Sequence, residues 1–193
     1  MKYMKILGLA AMALAALMAM AGTASATSIT SPAGTTYTST IKAENEGTIT
    51  LTSVFGGFGA VSCKKSTVEG KVETHGAAVT AGGKITGLTF TECSGGTPTS
   101  PVTTPGTLEV HRNADGSGAL TSKSASVVIH GTAFGTCTFT TSSTGTSLGT
   151  LTTTTQTGGK ATLDIKASIA SACGTGTWEG SYVVTTPSTL LID

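Results

Sequence analysis

Four cysteines are the residues of this 193-residue chain whose type and spacing point most directly to chemistry. Cys63, Cys93, Cys137 and Cys173 contain no C-x-x-C pair, so their spacing does not predict a zinc site. An even number of well-separated cysteines predicts two disulfides in an oxidising compartment. Three pairings are open for four cysteines.

A weak internal repeat favours one of these pairings. The order FG, Cys, GGK-x-T, Cys occurs twice along the chain. Since each copy contains its own cysteine pair, we prefer Cys63–Cys93 and Cys137–Cys173. Each disulfide would close a loop of about 30 to 37 residues and contribute roughly 3–4 kcal/mol in the chain-entropy description.

Histidines and serines form no recognisable catalytic or metal-binding pattern. His75, His111 and His130 lack metal-ligand spacing, and no serine occurs in a G-x-S-x-G motif. We therefore expect no catalytic residue, no cofactor and no metal site, and we predict that the protein is not an enzyme. A secreted hydrolase, the alternative, would need a buried polar cluster around one of the histidines.

Trp178 and Tyr182 are candidate ligand contacts, since they lie on one face of an alternating stretch. Aromatic rings on a sheet surface stack on sugars in many carbohydrate-binding modules. The alternative, which we favour, is that Trp178, the only tryptophan of the chain, fills the core.

The first 26 residues have the three parts of an export signal. Lys2 and Lys5 precede an apolar run over residues 6–21, and residues 24–26 supply a small-x-small cleavage sequence. The run is short for a membrane span, so we expect no transmembrane span after signal removal. We predict a secreted protein, either extracellular or associated with the cell surface.

The chain is rich in hydroxyl side chains and poor in charged ones. It contains 41 threonines and 20 serines, and charged residues make up 11%, against roughly 25% in an ordinary soluble domain. The formal net charge of +1 provides no basic excess, so we expect no nucleic-acid partner.

Several stretches alternate apolar residues with Thr, Ser or charged residues, which is typical of half-buried strands. The clearest stretch covers residues 161–169, and glycine-containing pairs at residues 46–47, 82–83, 115–116 and 158–159 predict turns. We therefore predict an all-β fold of about 10 to 13 short strands. Its expected architecture is an antiparallel β-sandwich, or two packed small sheets, with two disulfides.

The chain divides into two predicted β halves after the signal peptide at residues 1–26. Residues 27–97 form the first half, 98–105 a linker-like segment and 106–193 the second half, and both halves are compatible with packing as one domain. Strand edges carry few charges that would block edge pairing. We therefore expect self-association through strand edges.

Two sequence features carry a family resemblance. The stretch GGKITGLTFTEC at residues 82–93 and the terminal W-x-G-S-Y resemble those of uncharacterised secreted Thr/Gly-rich bacterial proteins with four cysteines. Residues 32–93 also resemble the exported alkane-oxidation activator (PraB) family, through a PAG start and a Cys…G-x-ITG-x-TF…C stretch. This resemblance implies a surface-associated role at a hydrophobic interface and brings no catalytic residues.

These observations favour an exported, non-enzymatic β protein that acts at the cell surface or in the extracellular matrix, with a cell-surface or glycan partner. The alternative is an extracellular binding module for glycans or for apolar substrates such as alkanes. In that alternative, Trp178 and Tyr182 are the candidate contacts.

Overall fold

The computed structural model describes residues 27–53, 60–74, 80–99, 106–131 and 135–193. The predicted signal peptide and most of the predicted linker-like segment lie outside them. The described residues form thirteen strands and one short helix, which confirms the all-β prediction. The elements are β1 (Ile29–Thr30), β2 (Thr40–Ser53), β3 (Ala60–Thr74), β4 (Ala81–Ser94), β5 (Thr97–Thr99), β6 (Thr107–Arg112), β7 (Gly118–Lys123), β8 (Ser126–Gly131), β9 (Gly135–Thr140), β10 (Thr146–Thr152), α1 (Thr154–Thr157), β11 (Thr162–Ser171), β12 (Gly174–Thr186) and β13 (Leu191–Ile192).

Strand β11 shows how the sequence pattern produces the sheet. Leu163, Ile165, Ala167 and Ile169 are buried, and the residues between them face outward. Successive side chains of a strand point to opposite faces, so this alternation gives one apolar and one polar face. The stretch that alternates most clearly in the sequence therefore forms a strand with one buried face.

Eight strands form one closed antiparallel ring in the order β10-β7-β6-β4-β3-β2-β12-β11. Strand β10 closes the ring because it pairs with β7 on one side and with β11 on the other, where Gly149 lies opposite Ile165. The sheet is thus an eight-stranded β-barrel, and the predicted sandwich or pair of small sheets is wrong. Alternation distinguishes inner from outer faces in both architectures, but it does not specify which strands pair.

Three further strands extend the sheet beyond the ring. Strand β9 pairs with the end of β11, β8 pairs with β9, and β5 pairs with β8. Val127, Ile129 and Phe139 of this extension belong to the same apolar core as the ring. A separate two-stranded sheet of β1 and β13, in which all four residues are buried, adds to this core.

Two disulfides connect distant parts of the chain. Cys63 of β3 bonds to Cys93, which lies opposite it on β4, and Cys137 of β9 bonds to Cys173 in the turn after β11. This is the pairing that the internal repeat favours. The described part of the chain contains no free cysteine.

The two predicted halves contribute neighbouring blocks of strands to one ring and meet at two places, where β4 pairs with β6 and β2 pairs with β12. Within the described ranges, β5 is the outer strand of the extension and pairs with β8 alone. Self-association through strand edges stays a prediction. None of the helices in these ranges has the length and apolar character needed to cross a membrane.

Candidate functional site

The inner face of β12 alternates small and large residues. Trp178 and Tyr182 face inward, and Gly176 and Gly180 occupy the neighbouring inward positions. A Cβ atom at Gly180 would lie 2.1 Å from Cδ1 of Ile49, so the glycine leaves the space that this side chain fills. The two aromatic rings therefore lie side by side on the barrel wall, as their spacing in the sequence predicts.

An apolar cavity of about 70 Å³ lies against these rings. Its almost entirely apolar wall includes Phe90, Phe139, Leu163, Trp178 and Tyr182. The volume is roughly five to seven times the 10–15 Å³ that one water-sized sphere needs. The cavity is therefore large enough for a small apolar group.

A second cavity, also of about 70 Å³, adjoins the first. Val68, Ile85, Leu108 and Leu163 line both cavities. Because the two spaces share these wall residues, they lie next to each other in the barrel interior.

The wall of the first cavity is partly exposed along β4. The ladder between β4 and β6 ends at Lys84, and from Thr86 onward β4 has ladder partners on β3 alone among the described residues. Phe90 on this stretch and Trp178 are half-buried, with ring centroids 5.8 Å apart. These partly exposed aromatic rings give solvent contact to an otherwise buried apolar wall.

A polar network crosses the wall beside Tyr182. The Tyr182 hydroxyl lies 3.0 Å from Oγ of Ser66, and both residues are buried. The Ser66 amide donates to Oδ1 of Asn45 over 2.7 Å, and Nδ2 of Asn45 donates to the Lys64 carbonyl over 2.9 Å and to the Gly47 carbonyl. The network therefore satisfies the phenol and fixes the irregular part of β2.

Burial of the phenol raises the pKa of Tyr182 to about 12, while contacts with Ser66 and with Trp178 lower it by less. The neutral phenol is favoured because an apolar surrounding penalises the charged form. Tyr182 is thus a neutral wall residue at physiological pH.

The indole nitrogen of Trp178 is a buried donor without a hydrogen-bond partner among the described residues. It lies close enough to the Tyr182 hydroxyl to influence the pKa of that phenol, but the two atoms do not have the geometry of a hydrogen bond. Unpaired buried donors are uncommon in native proteins and call for an explanation.

The histidines do not come together in the described residues. His111 on β6 and His130 on β8 are exposed, and Nδ1 of His130 lies 3.1 Å from Oγ1 of Thr136. His75 lies outside the described residues. Those residues also contain no group of three or more His, Cys, Asp or Glu that could hold a metal ion.

Sequence reasoning missed Ser66, Asn45 and Phe90 as site residues. Ser66 lies 116 residues from Tyr182, and no local pattern links the two. Phe90 had a signal, because its apolar side chain alternates with Thr89 and Thr91 on a strand-like stretch. That alternation places Phe90 on the inner face, although it does not identify its partner.

Comparisons of the chain with protein-family models, curated proteins and solved structures find no match.

Proposed function

We propose that this protein is an exported, non-enzymatic β protein that binds small apolar molecules in its barrel interior, at the cell surface or in the extracellular matrix. The observation that carries the proposal is the apolar cavity beside Trp178 and Tyr182, whose wall includes the partly exposed rings of Phe90 and Trp178. Ligand sites are mostly apolar cavities with a few polar groups that fix orientation.

The inward orientation of the Trp178 and Tyr182 rings favours apolar ligands over glycans. Stacking on a sugar requires a ring on an accessible outer surface. Tyr182 is fully buried and Trp178 is half-buried against Phe90, so neither ring forms a flat exposed platform.

The two disulfides support the extracellular part of the proposal, because such bonds persist in oxidising compartments. The surface-associated role comes from the sequence and is tested by cell fractionation. We expect the protein in the cell-surface or matrix fraction. Recovery solely as a free monomer in the medium would contradict that role.

Calorimetric titration of the purified, disulfide-bonded protein tests the binding function. We expect saturable binding of small hydrocarbons, since each cavity of about 70 Å³ is roughly half the size of one that holds benzene, and no response to oligosaccharides. Leu163→Phe should weaken this binding, since Leu163 lines both cavities. Ser168→Phe is the matched control, because it adds the same ring on the exposed face of β11.

Binding of oligosaccharides without hydrocarbon binding would contradict the proposal. Equal hydrocarbon affinity in the wild-type and Leu163→Phe proteins would place the ligand elsewhere. Thermal unfolding of both variants verifies that they fold.

A further inference from the structure

The wall of the first cavity belongs to two parts of the sheet that are weakly joined. Most of its residues lie on the eight-stranded ring, whereas Val127, Ile129 and Phe139 lie on β8 and β9. Strands β5, β8 and β9, which we call the flap, pair with one another along two ladders. The cavity is therefore enclosed where the inner face of the flap meets the ring.

The flap meets the ring along two borders, and neither has a long ladder among the described residues. At the first border, β9 pairs with β11 only at Ala170 and Ser171, and the Cys137–Cys173 disulfide crosses from β9 to the turn after β11. At the second border, no ladder in the described ranges joins β5 or β8 to β4. Strands β11 and β12 of the ring, by comparison, pair at ten successive positions. Backbone hydrogen bonds therefore hold the flap to the ring much less than they hold the ring strands to each other.

Two chain connections lead from the ring into the flap side by side. Strand β7 continues into β8 through Ser124 and Ala125, and β9 continues into β10 through residues 141–145. The Thr141 amide donates to the Ala125 carbonyl over 2.8 Å, and the Ala125 amide donates to Oγ1 of Thr141, also over 2.8 Å. A side-chain hydroxyl thus replaces a backbone acceptor, and regular pairing of the two connections is interrupted. Hinges are a few such residues at the ends of elements, where changes in φ and ψ are absorbed.

The border with β4 is closed by apolar side chains. Phe90 on β4 and Trp178 on β12 both line the cavity and are half-buried, with ring centroids 5.8 Å apart. Ile129 of the flap is buried, and its Cγ2 would lie 3.1 Å from a Cβ atom at Gly96, which connects β4 to β5. Because this border has no ladder in the described residues, it can separate without breaking a row of backbone hydrogen bonds.

We propose that the flap opens as a unit about the connections at residues 124–125 and 141–145, moves away from β4 and admits apolar molecules to the first cavity. The Cys137–Cys173 disulfide keeps β9 attached to β11 and limits this opening. Opening exposes Val127, Ile129 and Phe139 to water, so it is infrequent and bound molecules exchange slowly. Ligand entry rests on the proposed binding function, whereas opening of the flap does not.

Hydrogen exchange of the ligand-free, disulfide-bonded protein at low denaturant concentration tests the opening itself. Amides in the ladder of β8 and β9 should exchange together, through one opening that is more frequent than the global unfolding that limits the ladder of β2 and β12. Combined Cys137→Ala and Cys173→Ala should raise the ratio of flap exchange to ring exchange by about tenfold or more. Combined Cys63→Ala and Cys93→Ala is the matched control, because this disulfide lies within the ring, and it should not raise the ratio.

The time course of Trp178 quenching by bromoethane after rapid mixing tests ligand entry. If the flap must open first, the observed rate should level off as the bromoethane concentration rises, because opening then limits binding. Removing Cys137–Cys173 should raise this limiting rate by about the factor by which it accelerates flap exchange. Removing Cys63–Cys93 should not.

The outcomes separate opening from binding. Exchange of the β8 and β9 amides solely through global unfolding would overturn the flap, whatever the ligand does. A shared local opening without saturable quenching would support the flap and overturn the proposed binding function. A limiting rate that stays constant when flap exchange is accelerated would overturn entry through the flap.

Discussion

The hydroxyl of Tyr182 on β12 lies 3.0 Å from Oγ of Ser66 on β3, although β2 runs between these two strands in the ring. The contact spans the irregular part of β2, where the register with β3 shifts between Glu44 and Ile49. One buried hydrogen bond thus joins β3 to β12 across β2 in the barrel wall beside the cavity. Its energetics can be measured apart from any ligand.

Ser66→Ala should destabilise the protein by about 1–3 kcal/mol, because it leaves the buried Tyr182 hydroxyl without its partner. Tyr182→Phe removes the hydroxyl itself. The double variant should therefore cost less than the sum of the two single variants. Urea unfolding measures these free energies, with the exposed Ser168→Ala as control. Strict additivity would show that the two hydroxyls do not interact.

Raising the pH should destabilise the protein through Tyr182. Its pKa is raised from 10.0 to about 12 in the folded state, so between these values the unfolded chain releases the phenolic proton and the folded protein retains it. The stabilisation present below pH 10 is therefore lost as the pH rises towards 12, by roughly 2–3 kcal/mol.

Denaturant unfolding between pH 9 and pH 12 measures this loss, and the comparison with Tyr182→Phe isolates it from the titration of lysines. The variant should lose less stability over the same interval. A pH dependence identical to that of the wild type would contradict the buried, neutral phenol.

Gly149→Ala should destabilise the barrel where it closes. The Cβ atom would lie 1.9 Å from the carbonyl oxygen of Asp164 on β11, and the backbone φ of +151° is unfavourable for alanine. We expect a loss of about 2–4 kcal/mol in urea unfolding. Gly159→Ala is the matched control, because a Cβ atom there meets nothing within 4 Å. Equal effects of the two variants would argue against the pairing of β10 with β11.

Loss of each disulfide should accelerate hydrogen exchange in a different part of the sheet. Replacing either pair with alanine should cost about 3–4 kcal/mol. Strand β9 pairs with β11 only at Ala170 and Ser171, so loss of Cys137–Cys173 should also accelerate hydrogen exchange in β8 and β9. Loss of Cys63–Cys93 should have a smaller local effect, because a long ladder holds β3 to β4. Uniform exchange in both variants would contradict this difference.

Local structure was largely predictable where the sequence alternates. The stretch at residues 161–169 and the turn at residues 115–116, which joins β6 to β7, both occur as expected. The pairs at residues 46–47 and 82–83 lie inside β2 and β4, so the turns predicted there are wrong. Glycine serves close packing at position 83, where a Cβ atom would lie 1.7 Å from the Lys71 carbonyl.

Ring closure and the polar contact of the site were not predictable, because both depend on pairing between distant segments. Alternation placed Trp178 and Tyr182 on one face without showing whether that face lines a surface or an interior. That face lines an interior because the inner faces of other strands, such as β3 and β10, lie around the same cavity. Nothing near Ser66 in the sequence indicates that it meets Tyr182.

Quenching of Trp178 fluorescence by bromoethane tests binding inside the barrel, because bromine quenches an indole on close contact and the chain has a single tryptophan. Leu163→Phe and Val68→Leu add volume to the wall shared by both cavities, and Ser168→Phe adds the same ring outside the barrel. We expect saturable quenching in the wild-type and Ser168→Phe proteins and weaker or no saturable quenching in the two cavity-filling variants. Non-saturable quenching, equal in all four folded proteins, would contradict binding of apolar molecules inside the barrel.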